Sequence, residues 1–299
     1  MTHSITASAG AMAAGLALLS SLCFGIALVT GRIGLRSIGP RSGAAISIPT
    51  ATLIYALAAP FLFDGSGFNV SAAAWFATVG VFFPAVVTLL TFRSNEVLGP
   101  TITSAVSGTA PLFALLAAGL ILGETIPAKA AIASAGVVLG VALISYRRGD
   151  IRSQSAGWAL LWPISGAVVR GLAQAGAKAG LLLWPNPFAA GLIGYAVSTA
   201  TVIGANQIGR SGKPPLTQRG VAWFALTGIL NGGAVLLMYV ALNNAPVSLV
   251  APIVATYPLV TALVSAIVLR DEPLPLRVTT GAVVMVLAII YLVSSSAGS

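Results

Sequence analysis

Long apolar runs separated by short polar clusters fill the whole chain. A helix crosses a bilayer in roughly 20 mostly apolar residues. Runs of that kind fall at about 11–31, 43–63, 72–92, 100–122, 128–146, 156–178, 187–208, 221–242, 246–269 and 276–294. Polar and apolar residues do not alternate within them, as they would in the strands of a closed barrel. The pattern predicts an all-α integral membrane protein of ten transmembrane helices. Connections are short, the longest lying near 209–220, so no sizeable soluble domain is expected.

The runs also repeat. "AAWFATVG" (73–80) resembles "VAWFALTG" (221–228) at an offset of 148, which pairs Trp75 with Trp223 and Gly80 with Gly228. "AGLALL" (14–19) resembles "AGWALL" (156–161) at 142, Pro111 pairs with Pro258 at 147, and Glu124 falls opposite Asp271 or Glu272 at 147 or 148. These landmarks keep their order, which points to a duplicated unit of five helices, residues 1–150 and 151–299. Five is odd, so the second copy enters the membrane from the opposite side. Inverted repeats place a central cavity near the midplane where the halves meet, and rocking of one against the other exposes it to alternate sides.

Composition agrees. Of 299 residues, 57% are hydrophobic and 7% charged, against about 25% charged in a soluble domain. The apolar surplus faces lipid, so the bilayer is the main partner. The 33 glycines and 17 prolines suit membrane helices whose neighbours re-satisfy the backbone. A net charge of +9 could suggest nucleic acid, but the cations sit in short clusters between apolar runs, not on one folded face. That is a positive-inside pattern. Loops after helices 1, 3, 5, 7 and 9 hold Arg32, Arg36, Arg41, Arg93, Arg147, Arg148, Arg152, Arg210, Lys213, Arg219 and Arg270; the other side has Lys129 and Lys178. The count puts the odd loops in the cytoplasm and both termini outside. The run Ala11–Thr30 is long for a signal peptide and reads as a retained first helix. A lone cysteine, Cys23, forms no internal disulfide.

Two segments carry a family resemblance: "LGETIPAKAAIASAGVVLGVALISY" (122–146) and "LRDEPLPLRVTTGAVVMVLAIIYLV" (269–293). In each, an acidic residue ends the fourth helix of a repeat and a glycine-containing fifth helix follows. With the duplication, this resembles the EamA-type members of the drug/metabolite transporter superfamily, over nearly the whole chain. The resemblance implies two five-helix repeats in one chain and, by likeness to bacterial inner-membrane exporters, a multi-pass exporter of amino acids in that membrane. Ten-helix relatives are described with cytoplasmic termini, against the charge count.

Candidate chemistry centres on the sixth run. Arg170 lies well inside it, and a cation at that depth usually faces a cavity or a partner. Gln174 and Lys178 follow at i+4 and i+8 and form a polar ridge. Trp162 stands eight residues before Arg170, and Pro163, lacking an N–H, is expected to kink the helix and act as a hinge. One reading is a cationic, partly aromatic wall that binds a substrate carboxylate. In the other, Arg170 and Lys178 snorkel to the interface. Thr109, Asn231, Tyr239 and Tyr257 are polar groups within apolar runs; each lines a wet cavity or makes an interhelix hydrogen bond. Pro111 and Pro258 occupy matching helices, as hinges or static kinks. Trp75 and Trp223 read as interfacial anchors, Glu124, Asp271 and Glu272 as interfacial acids, and Gly136/Gly140 and Gly228/Gly232 as packing signals.

Absences narrow the function. The carboxylates Asp64, Glu96, Glu124, Asp150, Asp271 and Glu272 all map to connections or helix ends. A site with Arg170 and no central acid prefers anionic or zwitterionic ligands to cationic drugs. "GRSGKP" lacks phosphate-loop spacing. His3 is the only histidine, so neither a metal site nor a catalytic constellation is expected. The expectation is a cofactor-free secondary transporter, not an enzyme, that exports amino acids, aromatic or neutral, by alternating access. The alternatives are an exporter of another small organic metabolite or drug and, less so, a channel or structural membrane protein.

Overall fold

The computed structural model describes residues 2–145, 158–208, 216–269 and 276–297, and among them every regular element is helical. The first half holds α1 (Thr2–Leu35), α2 (Pro40–Leu62), α3 (Val70–Gly80), a π-helical turn (Val81–Val86), α4 (Val87–Ser107), α5 (Ala110–Leu122) and α6 (Ala128–Ser145). The second holds α7 (Leu161–Leu183), α8 (Pro187–Ile208), α9 (Gln218–Asn244), α10 (Val247–Val254), α11 (Tyr257–Val268) and α12 (Leu276–Ala297). The positive cluster Arg147, Arg148, Arg152, Arg210, Lys213 and Arg270, the acids Asp150, Asp271 and Glu272, and the start of "AGWALL" lie outside the described residues.

Several of these elements join into single crossings. Gly99 has φ 79° and ψ 169°, a conformation that a side chain would strain. It ends the third crossing and lets the fourth begin at Pro100. The fourth is interrupted again at Gly108–Thr109, and the ninth at Ala255–Thr256. Ten crossings result, as the apolar runs predicted. The third extends past the expected 92 to residue 98, because its polar end is satisfied by α1: Asn95 donates to the Leu28 carbonyl at 2.9 Å. Among the described residues, six helical segments are each long and apolar enough to cross a membrane. Leu161–Leu183 is not one of them, since Arg170, Gln174 and Lys178 dilute it. Large apolar side chains such as Phe61 (87% exposed) and Leu120 (88%) cover the outside, as contact with lipid requires.

Local starts and stops follow ordinary chemistry, and they recur. Asn69 accepts from the Ala72 N–H and Thr217 from the Gly220 N–H, capping the third span of each half. Pro40 and Pro187 begin the second spans, where a missing N–H is harmless. Gly123, at φ 65°, closes α5, and the Glu124 N–H returns to the Ala118 carbonyl. In the loop before α3, Asp64 accepts from the Ser66 N–H and hydroxyl, which hold its carboxyl below the usual carboxylate range.

Packing shows how the halves are related. A Cβ on Gly34 would strike the Phe224 ring, and one on Gly180 the Phe76 ring. Gly25 faces Val260 and the Tyr257 carbonyl; Gly171 faces Phe113 and the Ala110 carbonyl. Gly80 lies against Gly194, and Gly228 against Ser47. Each pair of contacts is one contact made twice, with partners exchanged between halves. The first spans register at 146 (Gly25/Gly171, Gly34/Gly180), which replaces the 142 suggested by "AGLALL" and "AGWALL". The third spans register at 148 (Phe76/Phe224, Gly80/Gly228), and the fourth at 147 (Thr109/Thr256, Pro111/Pro258). A drop of one means one extra residue in the first copy between Gly80 and Thr109. The π-helical turn lies in that interval, and a π-bulge is a one-residue insertion in a helix.

The relation is a twofold axis lying in the membrane. Thr52 and Thr199, equivalent at 147, share a hydrogen bond at 2.7 Å, each near the middle of its helix. Away from that point the register runs oppositely: Tyr55 meets Gly191, and Gly140 faces Gly281 where Gly136 faces Ala288. Equivalent helices are therefore antiparallel, so the second half is inverted relative to the first.

Candidate functional site

At the centre of the fold lies a cavity bordered by α1, the π-helical turn, α4, α7, α8, α9 and α11. By space open to the centre of a water molecule it measures about 30 Å³. A water needs roughly 10–15 Å³ by that measure, so the cavity has room for two or three waters, and an amino acid enters only if the walls move.

Arg170 is the charge in this site. It is 8% exposed, and its guanidinium carbon stands 5.0 Å from the Phe24 ring centre, 5.5 Å from Tyr257 and 5.6 Å from Phe83. Three aromatic faces thus surround a cation, an attractive arrangement. Its Nε has no hydrogen-bond partner. Arg170 and Phe24 are equivalent at the offset of 146, and they touch, so the twofold axis passes between them. The site sits where inverted repeats place one. The π-helical turn turns Phe83, at φ −133° and ψ 120°, out of the helical path and against Arg170.

Other polar atoms here also lack partners. The fully buried hydroxyl of Tyr195 and Gln174 Oε1, one turn beyond Arg170, have no hydrogen-bond partner among the described residues, while the Tyr257 hydroxyl faces Ser107. Most buried polar atoms in folded proteins are paired, and here two unpaired ones accompany the unpaired Nε of one cation. Tyr195 is fixed from behind: its ring stacks on Tyr55 at 5.4 Å and 28°, and Tyr55 donates to the Gly232 carbonyl at 3.0 Å.

The residues singled out from sequence divide accordingly. Arg170, Asn231 and Tyr257 line the cavity. Gln174 is buried beside it. Tyr239 is buried and does not line it. Trp162 is 41% exposed and lies outside the cavity wall; eight helical residues carry it about 12 Å from Arg170. Thr109 donates to its own helix, to the Val106 carbonyl at 2.7 Å, and its mate Thr256 does the same to Ile253 at 2.8 Å. These matched bonds close the two helix breaks just ahead of Pro111 and Pro258. The backbone also turns at Leu160, ahead of Pro163, which has no N–H for the Ala159 carbonyl. Phe24, Phe83 and Tyr195 were not indicated by the sequence pattern.

Lys178 is tied to a neighbouring helix end. It donates to the Leu242 and Ala245 carbonyls, at 2.6 and 3.2 Å, at the end of α9. Its equivalent at 146 is Arg32, which donates to the Asn95 and Glu96 carbonyls, at 2.7 and 2.9 Å, at the end of the third span. Cations favour helix C-termini, and each repeat uses one to tie its first span to its third, at opposite membrane faces. Glu124 accepts from the Val247 N–H at 3.3 Å and so joins the end of the fourth span to the start of the ninth.

Ten helices in two inverted repeats, closed around a midplane cavity with a buried cation, have the architecture of a membrane transporter of small molecules. The model of the EamA-like transporter family matches residues 11–146 and again 157–294. The chain belongs to that family. A solved crystal structure, 14% identical in sequence, shares the fold over 97% of this chain and 98% of its own, with a TM-score of 0.71. No curated protein sequence matches the chain.

Proposed function

We propose that this protein exports amino acids, aromatic or broadly neutral, across a bacterial inner membrane by alternating access. The units that move are residues 1–150 and 151–299, rocking about the axis between Phe24 and Arg170. The observation that carries the reading is Arg170: a buried cation at the axis, faced by aromatic rings, with an unpaired N–H. A substrate carboxylate supplies the missing charge and acceptor, and Gln174 Oε1 is an acceptor suited to an ammonium group. Phe24, Phe83 and Tyr257 offer ring faces to an apolar or aromatic side chain. The unpaired amide oxygen favours an amino acid over an anion without an amine; the runner-up is another small organic metabolite.

The test is counterflow of labelled amino acids in proteoliposomes, with the parent beside Arg170→Ala. Uptake of aromatic or neutral amino acids by the parent, lost in the variant, is expected. Failure of several amino acids while a sugar or nucleotide-sugar moves would overturn the substrate claim.

A further inference from the structure

The cation in the cavity does not stand alone. Tyr195 lies on α8 and Arg170 on α7, yet both side chains line the same cavity. Tyr195 is 2% exposed, and its hydroxyl has no partner. Burying a hydroxyl without a hydrogen bond is unfavourable, and phenylalanine in the same stack would avoid that. The ring is held on Tyr55, and Tyr55 is in turn tied to the backbone of α9. The stack sets the direction of the Tyr195 hydroxyl without using it.

The polar inventory of the wall shows what the hydroxyl serves. Arg170 offers N–H donors only. Tyr195 and Tyr257 each offer an O–H, and that of Tyr195 is otherwise uncommitted. Asn231 adds an amide. Among the described residues, no Asp or Glu borders the cavity. A carboxylate has two oxygens and about four acceptor sites, so one guanidinium edge leaves part of it unsatisfied. A hydroxyl from a second helix completes the set.

We propose that Tyr195 is a specificity-determining residue: its hydroxyl and the Arg170 guanidinium together clamp the carboxylate of the substrate, and so exclude neutral analogues. Resting on the transport reading above, the clamp makes a finer claim about that same site, namely that an organic carboxylate is required whether or not an amine accompanies it. Tyr195 stays protonated and donates; no proton changes hands.

Tyr195→Phe isolates the hydroxyl, because it leaves the ring stack in place. The assay is thermal unfolding of the full chain in detergent, titrated with four probes: phenylalanine, phenylalanine amide, benzoate and benzamide. The parent should bind the two carboxylates and neither amide well. The variant should lose about ten- to a hundredfold in affinity for both carboxylates, the effect of one hydrogen bond to a charged group. Its binding of the amides should not change. Its melting temperature without probe should equal or exceed that of the parent, since an unpaired buried hydroxyl has gone. Unchanged carboxylate binding in Tyr195→Phe overturns the clamp, as does an equal loss for the amides, or a parent that binds neither carboxylate. A variant that melts well below the parent also overturns it, by giving the hydroxyl a structural role. Binding of benzoate without phenylalanine would leave the clamp standing and remove the amino-acid reading instead.

Discussion

Replacing Arg170 by methionine keeps much of the side chain's length and deletes its charge. In a structural ion pair that change is damaging: breaking a buried pair costs about 3–5 kcal/mol, because the partner is left charged and alone. Among the described residues Arg170 has no carboxylate partner in its cavity, and its Nε is unpaired. Methionine removes a desolvated charge, worth roughly 1–4 kcal/mol when a buried ionic group is replaced by an apolar one of similar volume. Against that stands the lost attraction to three rings, about 0.5–2 kcal/mol each. One planar cation cannot stack fully on all three, so the loss is about 1–4 kcal/mol. The terms nearly cancel, and the substrate-free variant should melt within about 2 kcal/mol of the parent's stability. Transport is affected differently. Loss of a charged hydrogen bond to a carboxylate, about 1.5–3 kcal/mol, should raise the half-saturating concentration roughly ten- to a hundredfold. Thermal unfolding in detergent and counterflow in proteoliposomes read the two effects separately. A fall in stability of more than about 3 kcal/mol with little change in half-saturation would make Arg170 a structural residue and refute the reasoning.

Two further outcomes test the symmetry. Gly80→Ala and Gly228→Ala should both destabilise, by about 1–3 kcal/mol, as each added methyl meets the backbone of a second-span helix. Gly233→Ala, with nothing within 4 Å of its added carbon, should be neutral or stabilise by up to about 1 kcal/mol; melting curves that fail to separate these groups count against the twofold packing. Lys178→Met and Arg32→Met should each destabilise, by about 1–3 kcal/mol, through the lost hydrogen bonds to helix-end carbonyls. Full stability in either variant would show that its tie contributes nothing.

The ten crossings and the duplication were legible because both are written in one dimension, as apolar length and ordered landmarks. Where the sequence misled, local likeness stood in for register. "AGLALL" and "AGWALL" share small and apolar residues, and such strings recur by chance in a chain of this composition; Gly25/Gly171 and Gly34/Gly180 set the register through contacts with other helices. The third span outran its apolar run because Asn95 finds its partner on α1, a bond between residues 67 apart. In the cavity, Arg170, Asn231 and Tyr257 were visible as polar groups in apolar surroundings. Phe24, Phe83 and Tyr195 were not, since an aromatic residue in an apolar run looks the same whether it faces lipid, core or ligand. Trp162 shared the helix of Arg170 but stands two turns away, and Thr109 was polar but bonded to its own backbone.

Phe24 and Arg170 occupy one structural position in two copies. A homodimer of a single five-helix chain, inserted both ways up, would have to place the same residue there twice. Two guanidinium groups 5 Å apart, the present spacing of cation and ring, would repel by about 3 kcal/mol at an effective dielectric of about 20. Two phenylalanines would leave no charge at all. Joining both copies in one gene lets the central position differ between them, so a lone cation and the ring that shelters it can share a location that strict self-pairing forbids.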